Sequence, residues 1–227
     1  VAVAVDAAHV TLSDRGLKAI DAARAIVDGF LADTADVTYG INTGFGALAE
    51  TRVSDEDLTE LQHRLIRSHA VGVGEVLSRP DTRALMLLRA HVLALGYSGV
   101  RLVVVQRLLD MLNSGVHPVI PGKGSVGASG DLAPLAHLAL TLIGEGPAEY
   151  GGQVMEGAAA MAAAGLEPLV LSAKEGLALI NGTQGMLGIG ALAVHRARIL
   201  VGTADVTGAM TVEALKGSVR PFDAAIV

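Results

Sequence analysis

Residues 124–137 read Gly-Ser-Val-Gly-Ala-Ser-Gly-Asp-Leu-Ala-Pro-Leu-Ala-His, and this stretch decides what the chain is expected to be. At its centre the small residues Ala128, Ser129 and Gly130 can close a five-membered ring. The Gly130 nitrogen attacks the Ala128 carbonyl carbon and one water leaves, and loss of the Ser129 hydroxyl as a second water leaves an exocyclic methylene. Glycine suits the third position because ring closure needs backbone angles that a Cβ resists. The product would be an electrophile that no unmodified side chain supplies, although an isolated Ala-Ser-Gly is more often a turn before a helix.

The composition favours closely packed helices and excludes several function classes. Hydrophobic residues make up 51% of the 227 residues but aromatic residues only 3%, so the core must consist of Ala, Leu, Val and Ile. The net charge of -6, with no Lys/Arg cluster, argues against a nucleic-acid partner. There are no cysteines, which excludes disulfides and thiolate metal sites, and the histidines show no metal-ligand spacing.

The mean hydropathy of +0.50 raises the question of a membrane span. The longest apolar runs, such as residues 102–109, are interrupted by Arg, Gln or His well before the roughly 18 residues that a span needs. We therefore expect a cytoplasmic protein with no membrane partner. Its apolar helices would bury surface against other subunits.

Local signals predict mostly helices along the chain. A short strand is predicted within residues 1–12, a non-helical Pro/Gly-rich segment over 117–130, and a hairpin over 148–155 around Gly151-Gly152. Ser54 and the acidic residues that follow it predict a helix that ends near His69. Further helix starts are predicted at Ser13-Asp14, Pro80, Ser98 and Asp131, together with a long helix within 186–216.

A competing interpretation concerns residues 122–127, which fit the dinucleotide-binding pattern G-x-G-x-x-G. A true case needs a buried strand before the pattern and a βαβ unit around it. Pro118 and Pro121 disrupt such a strand, and helices are predicted on both sides. The pattern therefore does not favour a nucleotide site.

The stretch 124–137 resembles, without a gap, the signature of the aromatic amino acid ammonia-lyases, which build a methylidene-imidazolone from their own Ala-Ser-Gly. Three further segments resemble the family in the same order, so that the resemblance extends from about Thr11 to Val227. It implies a mainly helical bundle fold with a small mixed α/β segment around the ring loop. It also implies no metal and no nucleotide cofactor.

The three further segments supply the other predicted site residues. Tyr39 lies in the glycine-rich loop 38–46, and the resemblance implies that it is an acid/base tyrosine. Composition alone favours a tyrosine that packs on a turn. The pair Ser68-His69 resembles the pair that the histidine-specific branch of the family carries at its substrate-selecting position, which implies that His69 contacts the substrate. The helix dipole alone could also explain a histidine at the end of a helix. Asn181 resembles the asparagine that lies near ring and substrate, where Asn-Gly otherwise indicates a turn. Gln184 is also typical of the histidine-specific branch of the family.

The resemblance implies elimination of ammonia from L-histidine to give trans-urocanate, with four subunits sharing active sites. The Ser129-derived methylene would capture the substrate, and a tyrosine would remove a β-proton. Family members continue well beyond Val227, so we expect residues 1–227 to be an N-terminal portion of the catalytic domain that is inactive by itself. Alternatives are a tyrosine or phenylalanine ammonia-lyase or aminomutase of the same family, or a non-catalytic fragment.

Overall fold

The computed structural model describes residues 1–32, 38, 40, 41, 43, 53, 55–126 and 130–226. Within these ranges the chain is mainly helical, as predicted, and its short strands lie between residues 73 and 156. The elements in chain order are α1 (Ala2–Val5), α2 (Asp14–Ala32), α3 (Asp55–His69), β1 (Val73–Val76), α4 (Arg79–Ala94), α5 (Leu102–Ser114), β2 (His117–Pro118), β3 (Pro121–Lys123), α6 (Leu132–Leu142), β4 (Pro147–Tyr150), β5 (Gln153–Glu156), α7 (Gly157–Ala163), α8 (Glu175–Ile180) and α9 (Gln184–Ala214), followed by a 3-10 turn (Arg220–Phe222).

The chain divides into two compact units, Val1–Ile189 and Gly190–Val227. The core of the first is built from aliphatic side chains of α4, α5 and α6, as the scarcity of aromatic residues predicts. Fully buried members include Leu85, Val104, Leu108, Leu135 and Leu138. Packing of small and branched side chains lets helices approach closely, which stabilises the scaffold under the ring loop.

Two small antiparallel sheets form the mixed segment. One pairs β1 with β3, with Val73 opposite Lys123 and Val76 opposite Pro121 and an irregularity between these pairs. The other has the order β2-β4-β5, and its β4–β5 hairpin turns at Gly151-Gly152 as predicted. Because β1 and β3 are antiparallel, the residues before Val73 and those after Lys123 leave the sheet at the same end.

Two local predictions were wrong. Residues 1–12 contain the short helix α1 and no strand. Helix α5 begins at Leu102 rather than after Ser98, because its first amide groups are held from elsewhere: the Arg101 backbone N–H donates to Glu175 Oε1 at 3.1 Å. Glu175 is fully buried and also pairs with the Arg101 guanidinium at 2.7 Å. Sequence spacing cannot show a cap that comes from a residue so distant in the chain.

The second unit exposes a long apolar surface along α9, which includes Ile199, Leu200, Val206 and Met210, each 58–70% exposed. The stretch Glu175–Ala214, which contains α8 and α9, is long and apolar enough to cross a membrane by length and composition. That result differs from the expectation of no such stretch. Of the apolar window, 39% is buried inside the protein.

Candidate functional site

The ring loop runs from β3 to α6, and the structure describes its two ends. Ala128 and Ser129 lie outside the described residues, so their prediction as ring-forming residues stays a prediction. Gly130 has a positive φ of 137°, and a Cβ there would run into the carbonyl oxygen of Gly182 and lie 2.8 Å from its nitrogen. The next residue, Asp131, donates its backbone N–H to the same Gly182 carbonyl at 2.7 Å. The position therefore requires glycine, independently of any ring chemistry.

Asp131 fixes both sides of the ring loop. Its carboxylate is fully buried, and it accepts hydrogen bonds from Ser125 Oγ at 2.5 Å and from the Met186 backbone N–H at 2.9 Å. Asp131 was predicted to cap α6, but its side chain makes no capping bond to that helix. It caps the first turn of α9 instead, where the exposed N–H groups and the helix dipole favour a carboxylate. The loop is thereby attached to a helix that follows it by more than fifty residues.

The Asn181 segment forms the turn between α8 and α9 that supports Gly130. The Asn181 side chain is exposed, and its Nδ2 donates to the Leu177 carbonyl at 3.3 Å. Its own carbonyl oxygen accepts from Arg89 at 2.8 Å. Gln184 is buried, and its Oε1 accepts from the same Arg89 nitrogen at 2.8 Å. The Asn181 side chain is thus accessible from solvent, whereas Gln184 is engaged inside the protein.

His69 is the last residue of α3, as predicted, and it is half-buried. Its Nδ1 lies 2.8 Å from the Leu65 carbonyl oxygen, and Ser68 Oγ donates to the same carbonyl at 2.9 Å. A carbonyl oxygen can only accept, so Nδ1 must carry the proton. The other ring nitrogen, Nε2, is then an acceptor. A neutral histidine in this tautomer can accept a hydrogen bond from an N–H or O–H group of a ligand.

The end of α3 is brought to the ring loop by the β1–β3 sheet. Gly72 donates its N–H to His137 Nε2 at 3.1 Å, and burial lowers the pKa of His137, which keeps the imidazole neutral as an acceptor. A Cβ on Gly124 would lie 3.1 Å from the Gly72 Cα. The segment after His69 therefore packs directly on the loop that precedes Ser129.

Arg67 attaches the last turn of α3 to the residues that follow α6. Its guanidinium forms two hydrogen bonds with the Glu145 carboxylate, at 2.9 and 2.6 Å. This pairing raises the pKa of Arg67 and lowers the pKa of Glu145, so both groups stay charged near neutral pH. Glu145 lies just after α6, so the pair links the His69 helix to the helix that follows the ring loop.

Tyr39 lies outside the described residues, and its predicted acid/base role stays a prediction. Its neighbour Gly40 has a φ of 74°, donates its N–H to Thr43 Oγ1 at 3.1 Å and packs so closely on Leu177 that a Cβ would lie 2.7 Å from that side chain. Leu177 lies four residues before Asn181, one helical turn away. Contacts of the described residues thus connect the Tyr39, His69 and Asn181 segments to one region around Gly130.

Arg89 is a residue of this region that the sequence analysis missed. It lies on α4, is only 1% exposed, and burial lowers its pKa to about 10. The signal in the sequence was an arginine inside the apolar run Ala84-Leu85-Met86-Leu87-Leu88-Arg89-Ala90, since an arginine among core residues needs buried acceptors. Within the described ranges, no group of three or more His, Asp or Glu side chains is arranged to hold a metal ion.

Comparison with known proteins shows to which family the chain is similar. The family model for aromatic amino acid lyases matches residues 1–227. A histidine ammonia-lyase of Sorangium cellulosum is 58% identical over 204 residues, which cover 89% of this chain and 40% of that protein.

Two solved structures are also similar. The histidine ammonia-lyase of Trypanosoma cruzi has a TM-score of 0.89 and 43% identity, and the match covers 96% of this chain and 42% of that one. The phenylalanine aminomutase of Pantoea agglomerans has a TM-score of 0.91 and 37% identity, covering 99% and 43%. The chain spans about two-fifths of the length of the curated relatives that it matches.

Proposed function

Because this chain belongs to the aromatic amino acid lyase family, we propose that the intact protein eliminates ammonia from L-histidine to give trans-urocanate. The observation that carries the choice of substrate is the pair Ser68-His69 together with relatives named histidine ammonia-lyase at 50–58% identity. A further part of the proposal is that residues 1–227 are the N-terminal portion of the catalytic domain.

The residues present fit a methylidene-imidazolone formed from Ala128, Ser129 and Gly130. Gly130 lacks a Cβ where one would collide with Gly182, and the loop is anchored on both sides by Asp131. When formed, the group supplies an electrophilic methylene. The chain's own contribution is to hold the loop ends rigidly, so that the backbone nitrogen of Gly130 meets the Ala128 carbonyl carbon at high effective concentration.

His69 is proposed to select the substrate through its Nε2. The Nδ1–H bond to the Leu65 carbonyl leaves Nε2 as an acceptor for the N–H of a substrate imidazole. A phenyl side chain offers no such donor, and the polar Nε2 would be left without a partner against it. Asn181, with its exposed amide, is proposed to bind the substrate, and Tyr39 to remove the β-proton.

The test is to incubate the intact protein separately with L-histidine, L-tyrosine and L-phenylalanine and to record the absorbance of the unsaturated products. Urocanate from L-histidine supports the proposal. Preference for tyrosine or phenylalanine, or formation of a β-amino acid, would instead assign the aminomutase or aromatic-lyase activity that similar solved structures carry in their names. No turnover of any of the three would favour a non-catalytic protein.

Replacing His69 tests the substrate assignment separately. His69→Leu should lower kcat/KM for L-histidine by about tenfold or more, because one hydrogen bond to the substrate is lost. Arg64→Ala is the matched control on the same helix, since the Arg64 side chain is exposed and pairs with Glu60. Equal effects of the two variants, or unchanged selectivity in His69→Leu, would remove His69 from substrate recognition.

We also propose that the apolar surface of α9 packs against other helices in a homotetramer. The exposed side chains of Ile199, Leu200 and Val206 support this proposal, because a soluble monomer rarely exposes so continuous an apolar surface. Size-exclusion chromatography with light scattering on the intact protein measures the subunit number directly. A monomer would contradict the proposal.

A further inference from the structure

Arg89 is a buried cation that has no carboxylate partner among the described residues. Its side chain is 1% exposed, and its Nε has no hydrogen-bond acceptor. Burying an unpaired charge is costly unless strong hydrogen bonds compensate for the lost hydration. The contacts that Arg89 does make must therefore account for an arginine at this position in α4.

The hydrogen bonds that Arg89 makes to described residues go to one turn. The Nη1 nitrogen of Arg89 donates to the Asn181 carbonyl oxygen and to Gln184 Oε1, each at 2.8 Å. The two acceptors lie on either side of Gly182. A Cβ on Gly182 would collide with Arg89 Nη1 and with Gln184 Oε1, so the absence of a side chain there is what admits the guanidinium.

The same turn supports the ring-forming residues. The Gly182 carbonyl oxygen accepts from the Asp131 N–H at 2.7 Å. A Cβ on Gly130 would collide with the same oxygen. The path from Arg89 to Gly130 thus runs through two hydrogen bonds to the turn and one close backbone contact. Displacement of Gly182 would displace Gly130, because no side chain lies between them to absorb the movement.

We infer that Arg89 is a positioning residue for ring formation: it fixes the Asn181–Gln184 turn and so holds Gly130 in the conformation from which its nitrogen attacks the Ala128 carbonyl carbon. This inference rests on the proposed function, which requires the ring. The hydrogen bonds of Arg89 reach Asn181 and Gln184, so Arg89 acts on Gly130 through Gly182.

The test measures the fraction of intact protein in which the peptide containing Ser129 is lighter by two waters. Arg89→Met keeps the length of the side chain and removes its donors. In this variant the ring should form about tenfold more slowly after synthesis, or in a smaller fraction of the protein. The reason is that one or two charged hydrogen bonds to the turn are lost. Arg89→Lys keeps a charged donor and should restore part of the rate.

Arg83 provides the matched control. It lies on the same helix, is 4% exposed, and donates to the Val3 and Leu112 carbonyls at 2.9 and 2.8 Å, away from the turn. Arg83→Met should lower the thermal midpoint much as Arg89→Met does, yet form the ring as wild type does. If Arg89→Met does not fold, Arg89→Gln takes its place with the same expected loss, since a neutral, shorter amide cannot reach both acceptors.

The outcomes separate the two proposals. Wild-type ring formation in a folded Arg89→Met or Arg89→Gln protein overturns the role of Arg89 and leaves the proposed function standing. An equal loss in Arg83→Met overturns it as well, because the effect would then follow from general destabilisation. A wild-type protein whose Ser129 peptide has its unmodified mass contradicts the proposed function itself, and the role of Arg89 falls with it.

Discussion

The buried carboxylate of Asp131 should be one of the most sensitive positions for the stability of the chain. It accepts from Ser125 Oγ at 2.5 Å and from the Met186 N–H at 2.9 Å, and it is fully buried. Ser125 is exposed, so its hydroxyl can turn to water when Asp131 is replaced. The Met186 N–H belongs to the first turn of α9 and loses a charged acceptor, a bond worth about 1.5–3 kcal/mol.

The helix dipole adds to this cost. A carboxylate at a helix N-terminus contributes about 0.3–1 kcal/mol at the surface and up to about 2 kcal/mol when partly buried. Asp131→Ala should therefore lower the free energy of unfolding by about 3 kcal/mol. Asp131→Asn keeps an oxygen for the Met186 N–H and can donate to Ser125 Oγ, so it loses mainly the charge and should cost about 1 kcal/mol.

Urea unfolding followed by far-UV circular dichroism measures both values, with Asp110→Ala as the surface control. Asp110 accepts from Gln106 Nε2 on the same helix, lies 3.9 Å from Arg107 Nε and is one-third exposed, so its replacement should change stability by less than about 1 kcal/mol. An Asp131→Ala protein as stable as the Asp110 variant, or an Asp131→Asn protein less stable than Asp131→Ala, would show that the buried carboxylate does not stabilise the start of α9.

Two further predictions concern His117 and Gly130. Burial and the nearby Arg83 guanidinium lower the pKa of His117 from 6.5 to about 4 against the opposing effect of Glu149, so only the unfolded chain takes up a proton there between these pH values. Stability should thus fall by about 3 kcal/mol as the pH falls through this window, and His117→Gln should flatten that part of a urea-unfolding pH profile. An unchanged slope would contradict the assignment. Gly130→Ala would place a Cβ against the Gly182 carbonyl at a φ of 137°, so the Ser129 peptide should keep its unmodified mass and stability should fall by about 3 kcal/mol. Gly29→Ala, which meets no atom within 4 Å in α2, is the control and should form the ring normally.

Local signals in the sequence predicted the elements that carry the site. Ser54 and the acidic residues that follow it correctly predicted α3 up to His69. The Gly151-Gly152 turn also predicted its hairpin correctly. Such signals act over a few residues, so periodicity and turn chemistry are sufficient to read them.

The contacts between distant parts of the chain could not be predicted in the same way. Asp131 follows the ring loop and so suggested a local cap, but the N–H that it binds belongs to Met186. Glu175 caps α5 from a position more than seventy residues later, and Arg89 meets a turn more than ninety residues later. Single-sequence spacing carries no information about which buried donor meets which acceptor across the fold. The roles predicted for Tyr39, Ala128 and Ser129 stay predictions.

The proposed chemistry depends on one modification, and peptide mass spectrometry of the freshly purified intact protein tests it most directly. The peptide containing Ser129 should be lighter than its sequence mass by two waters, and Ser129→Ala should abolish this loss and all turnover of L-histidine. A wild-type peptide at its full sequence mass, in a protein that converts L-histidine to urocanate, would show that the elimination does not need the ring.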